Sequence, residues 1–125
     1  QELKNKGIRV LFCSDGNITK IVDDLAEAEA DGFIMEPSCD LKLITEKYGD
    51  EKVLAGNVDL KVLTFGDERA VMNEVFRCLR TAGHCPGYFI NVTGSIPDNV
   101  PFRNLEFYFE TCRKYGRRPS RSLGA

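Results

Sequence analysis

"LFCSDGNITKIVDDL", residues 11–25, decides the fold class. An apolar run ends in a cluster of small polar residues, and a helix-period segment follows at once. Ile18, Ile21, Val22 and Leu25 fall at i, i+3, i+4 and i+7, the spacing of one helical stripe. Strand, turn and helix in that order make the repeating unit of α/β folds. The turn holds Cys13 and Asp15 two residues apart.

The same unit recurs three times downstream. "GFIME" (32–36) precedes a helix expected to open at Asp40, a good N-cap residue, with Leu41 and Ile44 inward. "VLAGN" (53–57) leads through a longer loop to Asp67 and a helix with Val71, Val75 and Leu79 on one stripe. "YFINV" (88–92) leads through a Pro-rich loop to a last helix carrying Leu105, Phe109 and Cys112. Gly49, Gly83 and Gly116 fall just past three of these helices, where a left-handed C′ residue is expected. The runs are apolar throughout rather than alternating, as in parallel strands covered on both faces. The reading is therefore α/β, with four consecutive βα units joined by right-handed crossovers. Periodicity leaves two architectures open: a small doubly wound sheet, or half of a (β/α)₈ barrel. Half a barrel would carry two bare edges and an open inner face.

Composition bounds the function. The chain has 125 residues, one domain's worth, with 29% charged residues and a net charge of −2. Neither nucleic acid nor an anionic membrane is the expected partner of such a surface. No apolar run approaches the roughly 18 residues of a membrane helix, and no secretory pattern is seen at Gln1. Five cysteines without C-x-x-C spacing read as reduced thiols, so the expected location is cytoplasmic. Cys78 and Cys112 are expected to pack in the core, and His84 and Cys85 to lie in a loop on the face opposite the site. Two N-x-T triplets, at Asn17 and Asn91, read as chance. The basic stretch "RKYGRRPSRSLGA" reads as a solvated tail, flexible over 119–125 after a domain spanning 1–118.

Both architectures bind ligands at the C-terminal ends of their strands. Those ends carry Cys13, Asp15, Glu36, Cys39, Asn57, Asp59, Asn91, Thr93 and Ser95. Cys13 and Asp15 point the same way if the strand continues, and Glu36 stands on the neighbouring strand. A thiolate with two carboxylates is a possible zinc set. The plain alternative is a packed Cys13 and an Asp15 that caps the next helix. Asn57, Asp59 and Ser95 are the candidates for binding substrate, with the alternative that Asn57 and Asp59 simply order the long loop that follows, and Asp15 and Glu36 are the candidates for catalysis.

"FCSDGNITKIVDDLAEAEADGF" (12–33), "DLKLITEKYGDEKVLAGNVD" (40–59) and "SIPDNVPFRNL" with "KYGR" (95–105, 114–117) resemble the C-terminal half of the uroporphyrinogen decarboxylase superfamily. That superfamily joins the decarboxylase of haem biosynthesis to corrinoid-dependent methyltransferases such as the methylcobalamin:coenzyme M enzymes. The resemblance runs from residue 8 to 118. It implies a (β/α)₈ barrel of which this chain supplies strands five to eight.

Zinc-dependent methyltransferases of that family carry His-x-Cys-Gly at the first of these strand ends and a cysteine after the last strand. The three ligand positions fall on Cys13, Asp15 and Gly94, so the resemblance implies at most a rearranged zinc site of Cys13, Asp15 and Glu36. Other relatives read His-Ser-Asp-Gly-Asn where this chain has "CSDGN" (13–17). The decarboxylases carry Gly-His-Gly where this chain has "TGSIP" (93–97), and that histidine is absent. The resemblance thus favours the methyltransferase branch, which moves a methyl group between a small substrate and a corrinoid or corrinoid protein. The alternatives are the decarboxylase, which needs no cofactor, and an inactive half-barrel. The last would pair with a separate N-terminal half or with a second copy as a homodimer.

Overall fold

The computed structural model describes residues 1–117; residues 118–125, and with them the expected flexible tail, lie outside the described residues. Four strands, β1 (Leu11–Cys13), β2 (Gly32–Met35), β3 (Val53–Gly56) and β4 (Tyr88–Phe89), form one parallel sheet in the order β1-β2-β3-β4. Helix α1 (Glu2–Asn5) precedes β1. Helices α2 (Val22–Glu27), α3 (Leu41–Tyr48), α4 (Leu60–Phe65), α5 (Glu68–Ala82) and α6 (Phe102–Tyr115) fill the connections.

The strand order chooses between the two architectures. A doubly wound sheet reverses its order at a switch point, which sends helices to both faces. Here each strand pairs with the one before it, so right-handed crossovers carry every helix to the same face. This is the winding of half a (β/α)₈ barrel. The register makes the two faces visible. Phe12, Phe33, Leu54 and Tyr88 form one cross-strand row, and the last three are buried under the helices. Cys13, Ile34, Ala55 and Phe89 form the next row, on the opposite face. There Cys13 is exposed and Phe89 is 63% exposed. The edge strands β1 and β4 are thus covered on one face only, not on both as their apolar runs suggested.

Sequence capping signals are realised where a side chain acts locally. Asp40 accepts the Leu43 N–H at 2.9 Å to open α3, and Asp67 accepts the Ala70 N–H at 2.8 Å to open α5. Leu41, Ile44, Val71 and Val75 are buried as expected, and Cys78 joins them. Four expectations need correction. The segment after Ile18 begins as a 3₁₀ turn (Thr19–Ile21) before α2, which shifts the helical phase and leaves Ile21 exposed while Val22 is buried. The loop after β3 contains α4, capped by Asp59, whose carboxylate accepts the Lys61 N–H at 2.9 Å. On α6 the fully buried stripe is Asn104, Tyr108 and Thr111; Leu105 and Cys112 pack against the core partly buried, as expected, but Phe109 is 52% exposed. Gly49, Gly83 and Gly116 keep right-handed conformations, because each of these helices ends by continuing its own turn.

One glycine that the geometry does demand is Gly56, at φ +135° where β3 ends. A Cβ there would lie 2.5 Å from the Met35 carbonyl oxygen, so only glycine lets the two strand ends approach. At the other end of the sheet, Asp31 locks β1 to β2. Its carboxylate accepts the Val10 N–H at 2.7 Å and its own N–H donates to the Val10 carbonyl at 2.8 Å. No helix among the described residues is long and apolar enough to cross a membrane.

Candidate functional site

A cleft of about 670 Å³ opens at the C-terminal ends of the first three strands. Its polar lining comes from the loop after each strand: Asp15 after β1, Glu36 after β2 and Asp59 after β3. Lys61 and Phe65 on α4 and Asn99 in the loop before α6 complete the wall. Three acidic residues from separate strand ends thus line one cleft, without being gathered closely enough to share a metal ion. One lysine stands among them.

Helix α5 supports this wall from behind. Glu74 accepts the Asp59 backbone N–H on Oε1 at 2.9 Å. Arg77 grips both oxygens of Glu74, with Nη2 at 2.6 Å from Oε1 and Nε at 2.9 Å from Oε2. Burial pulls the Glu74 carboxyl upward, but the hydrogen bonds from Arg77 and from the Asp59 N–H outweigh it and hold the group below its ordinary value. The same contact to Glu74 raises Arg77. Arg77 Nη2 also shares its protons with the Asn57 carbonyl at 3.0 Å and the Asn57 side-chain oxygen at 3.1 Å.

Asn57, expected to bind substrate, is completely buried. Its Nδ2 donates to the Glu36 carbonyl at 3.3 Å and the Cys39 carbonyl at 3.0 Å, so its amide is committed to fixing the loop after β2. The last strand is tied in by two hydroxyls. Tyr88 donates to the Gly56 carbonyl, and Thr93 donates to the Met35 carbonyl at 2.7 Å, reaching across the end of β3. Burial pushes the Tyr88 hydroxyl well above its ordinary value, so it serves as a fixed donor.

Of the other expected residues, Ser95 is exposed in the loop after β4, and Pro97 and Asn99 are what that loop gives the cleft. Cys39 is buried, with its thiol 3.8 Å from the Gly16 carbonyl. Cys13 is exposed, in the row of Ile34 on the open face of the sheet, and is not part of the cleft wall. Among the described residues no group of three or more His, Cys, Asp or Glu side chains is gathered so as to hold a metal ion. Cys13, Asp15 and Glu36 thus do not make a zinc set by themselves.

Lys61 and Phe65 lie on α4, in the segment expected to be loop, and neither they nor Glu74 and Arg77 are among the residues expected from the sequence. Their signal was present: Asp59 with an apolar Leu60 and Leu63 behind it opens a helix, and Glu74 and Arg77 share a face at i, i+3.

Comparison with known proteins adds an independent finding. The family described as "Uroporphyrinogen decarboxylase (URO-D)" matches residues 1–115. A uroporphyrinogen decarboxylase of Pseudomonas putida (strain KT2440) is 31% identical over 91 residues, which cover 73% of this chain and 25% of that protein. Those of Pseudomonas fluorescens (strain Pf-5) and Nostoc punctiforme are 26% and 24% identical over 105 and 94 residues, covering 84% and 75% of this chain and 29% and 26% of those proteins. The chain therefore spans between a quarter and a third of the length of the curated relatives it matches.

Proposed function

The chain belongs to the uroporphyrinogen decarboxylase family, and from that premise we propose that it forms part of an enzyme of the methyltransferase branch. The observation that carries this reading is the charge of the cleft wall. Among the described residues that line the cleft, Lys61 is the one cation beside Asp15, Glu36 and Asp59, and the loop after β4 offers Pro97 and Asn99 where a histidine would suit a tetrapyrrole. A polycarboxylate tetrapyrrole would meet like charge along this wall. A small neutral or cationic methyl-bearing substrate would be held by it.

In this reading a corrinoid, or a protein carrying one, supplies the methyl donor or acceptor. The residues of this chain do the rest: Asp15, Glu36 and Asp59 accept hydrogen bonds from the substrate's N–H or O–H groups, and the apolar Phe65 keeps water from one side of it. One of these carboxylates also takes or returns the proton of the atom that gains or loses the methyl. No step is routed through zinc, because the donor set is not gathered.

The open face with Leu11, Cys13 and Phe89 implies four further βα units that close the barrel. They come from the rest of a longer polypeptide or from a second copy, and the chain alone is expected to be inactive. A cytoplasmic location fits this reading.

A second reading, decarboxylation of uroporphyrinogen, is supported by the name of the relatives that align over most of the chain. One experiment separates the two. A full-length barrel carrying residues 1–115 as its C-terminal half is assayed for demethylation of methylcobalamin with a thiol acceptor and for uroporphyrinogen decarboxylation. Corrinoid turnover without decarboxylation is the expected result; decarboxylation without corrinoid turnover would overturn it.

A further inference from the structure

Glu36 and Asp59 reach the cleft from different strands, yet both are held from one helix. Glu74 and Arg77 lie one turn apart on α5, and Glu74 has only 11% of its side chain exposed. The two form a fork-to-fork pair, the geometry in which a guanidinium binds a carboxylate most specifically. From that pair one hydrogen bond runs to the backbone of Asp59. A second path runs from Arg77 through the fully buried Asn57 to the backbone carbonyl of Glu36. The helix thus meets the backbone of Asp59 directly and that of Glu36 through the Asn57 side chain.

We propose that Glu74–Arg77 is a positioning pair that sets the Glu36 and Asp59 carboxylates as a single unit. The inference rests on the cleft being the working site. It goes beyond that reading by assigning an ion pair behind the wall to the relative placement of two groups in front of it. Arginine is required for geometric reasons. One planar fork meets a carboxylate and two amide oxygens in a fixed arrangement, which a lysine ammonium on a flexible stem cannot reproduce. A helix-stabilising ion pair would behave differently, because its loss would lower stability evenly and leave the two carboxylates independent.

The test is made on the 125-residue chain by NMR, with Arg77→Lys and Glu74→Gln as variants. Glu68→Gln, on α5 as well, which removes the exposed ion pair to Arg103 on α6, is the control. In both variants the side-chain carboxyl carbons of Glu36 and Asp59 are expected to shift together. The Asp59 amide is expected to exchange faster by about tenfold or more relative to Val75 in α5. The control should move none of these. The proposal is overturned if only one carboxyl responds, or if Asp59 and Val75 exchange change in parallel. This readout needs no activity. Full activity of Glu36→Gln in a complete barrel would count against the cleft as the working site, and it is a separate result from any failure of the coupling.

Discussion

Asn104 on α6 donates its side-chain amide to the carbonyl of Leu63 at 2.8 Å and to that of Gly66 at 2.9 Å. One buried amide therefore closes the C-terminal end of α4, the helix that brings Lys61 and Phe65 to the cleft. Helix ends leave carbonyls without intrahelical partners, and here a distant side chain supplies the donors. Asn104→Ala leaves two carbonyls and a small void, and is expected to cost about 2–3 kcal/mol. Chemical denaturation measures it. A loss under half a kcal/mol would mean that water replaces the amide at no cost.

Thr45 gives the opposite sign. Its hydroxyl oxygen is buried and has no hydrogen-bond partner among the described residues. Thr45→Val keeps the shape and removes the stranded polar group, so stability should rise by about 1 kcal/mol. Thermal unfolding should show a midpoint higher by a few degrees. A lower midpoint would show that the hydroxyl is satisfied.

The thiols should separate by exposure. Cys13 is exposed, Cys112 partly so, and Cys39, Cys78 and Cys85 are buried. A bulky thiol reagent is expected to label Cys13 first and the buried three only at the rate of unfolding. Cys13→Ser should remove the fast phase with no other change. In a completed barrel the row containing Cys13 faces the interior, so the fast phase should disappear there as well.

Stability should fall on both sides of neutrality, for different groups. The Glu74 carboxyl is held below its ordinary value of 4.5, so its contribution is complete above about that pH and is lost as pH falls through the lower folded value. On the alkaline side, burial pushes the Cys112 thiol up to about 11 from an ordinary 9.0. That contribution is complete below pH 9.0 and is lost as pH rises towards about 11. Denaturation midpoints across pH should show both limbs, with Glu74→Gln flattening the acid limb and Cys112→Ala reducing the alkaline one.

The parts of the fold legible in the sequence are those fixed by short-range chemistry. Asp40 and Asp67 cap helices through bonds to residues three positions on, and the apolar runs mark all four strands. The choice of architecture was not legible, because it lies in which strands pair, and β1-β2-β3-β4 leaves no local trace. The resemblance supplied that answer. The site divides the same way. Asp15, Glu36 and Asp59 followed from their place after strands. The place of Asn57 after β3 was equally legible, but its burial and its hydrogen bonds from Arg77, twenty residues away, were not, since no periodic pattern predicts such a partner. The α6 stripe went astray because Asn104, a polar residue, takes a core position to serve α4.

The account stands or falls on the cleft. The most direct measurement is the kcat/KM for methyl transfer of a full-length barrel carrying this sequence, with Glu36→Gln and Asp59→Asn made singly in it. Each variant should fold and lose activity by about 10²–10⁴-fold, as expected for a group that orients substrate or moves its proton. Activity within about twofold of the parent in both variants would place the chemistry elsewhere and contradict the account.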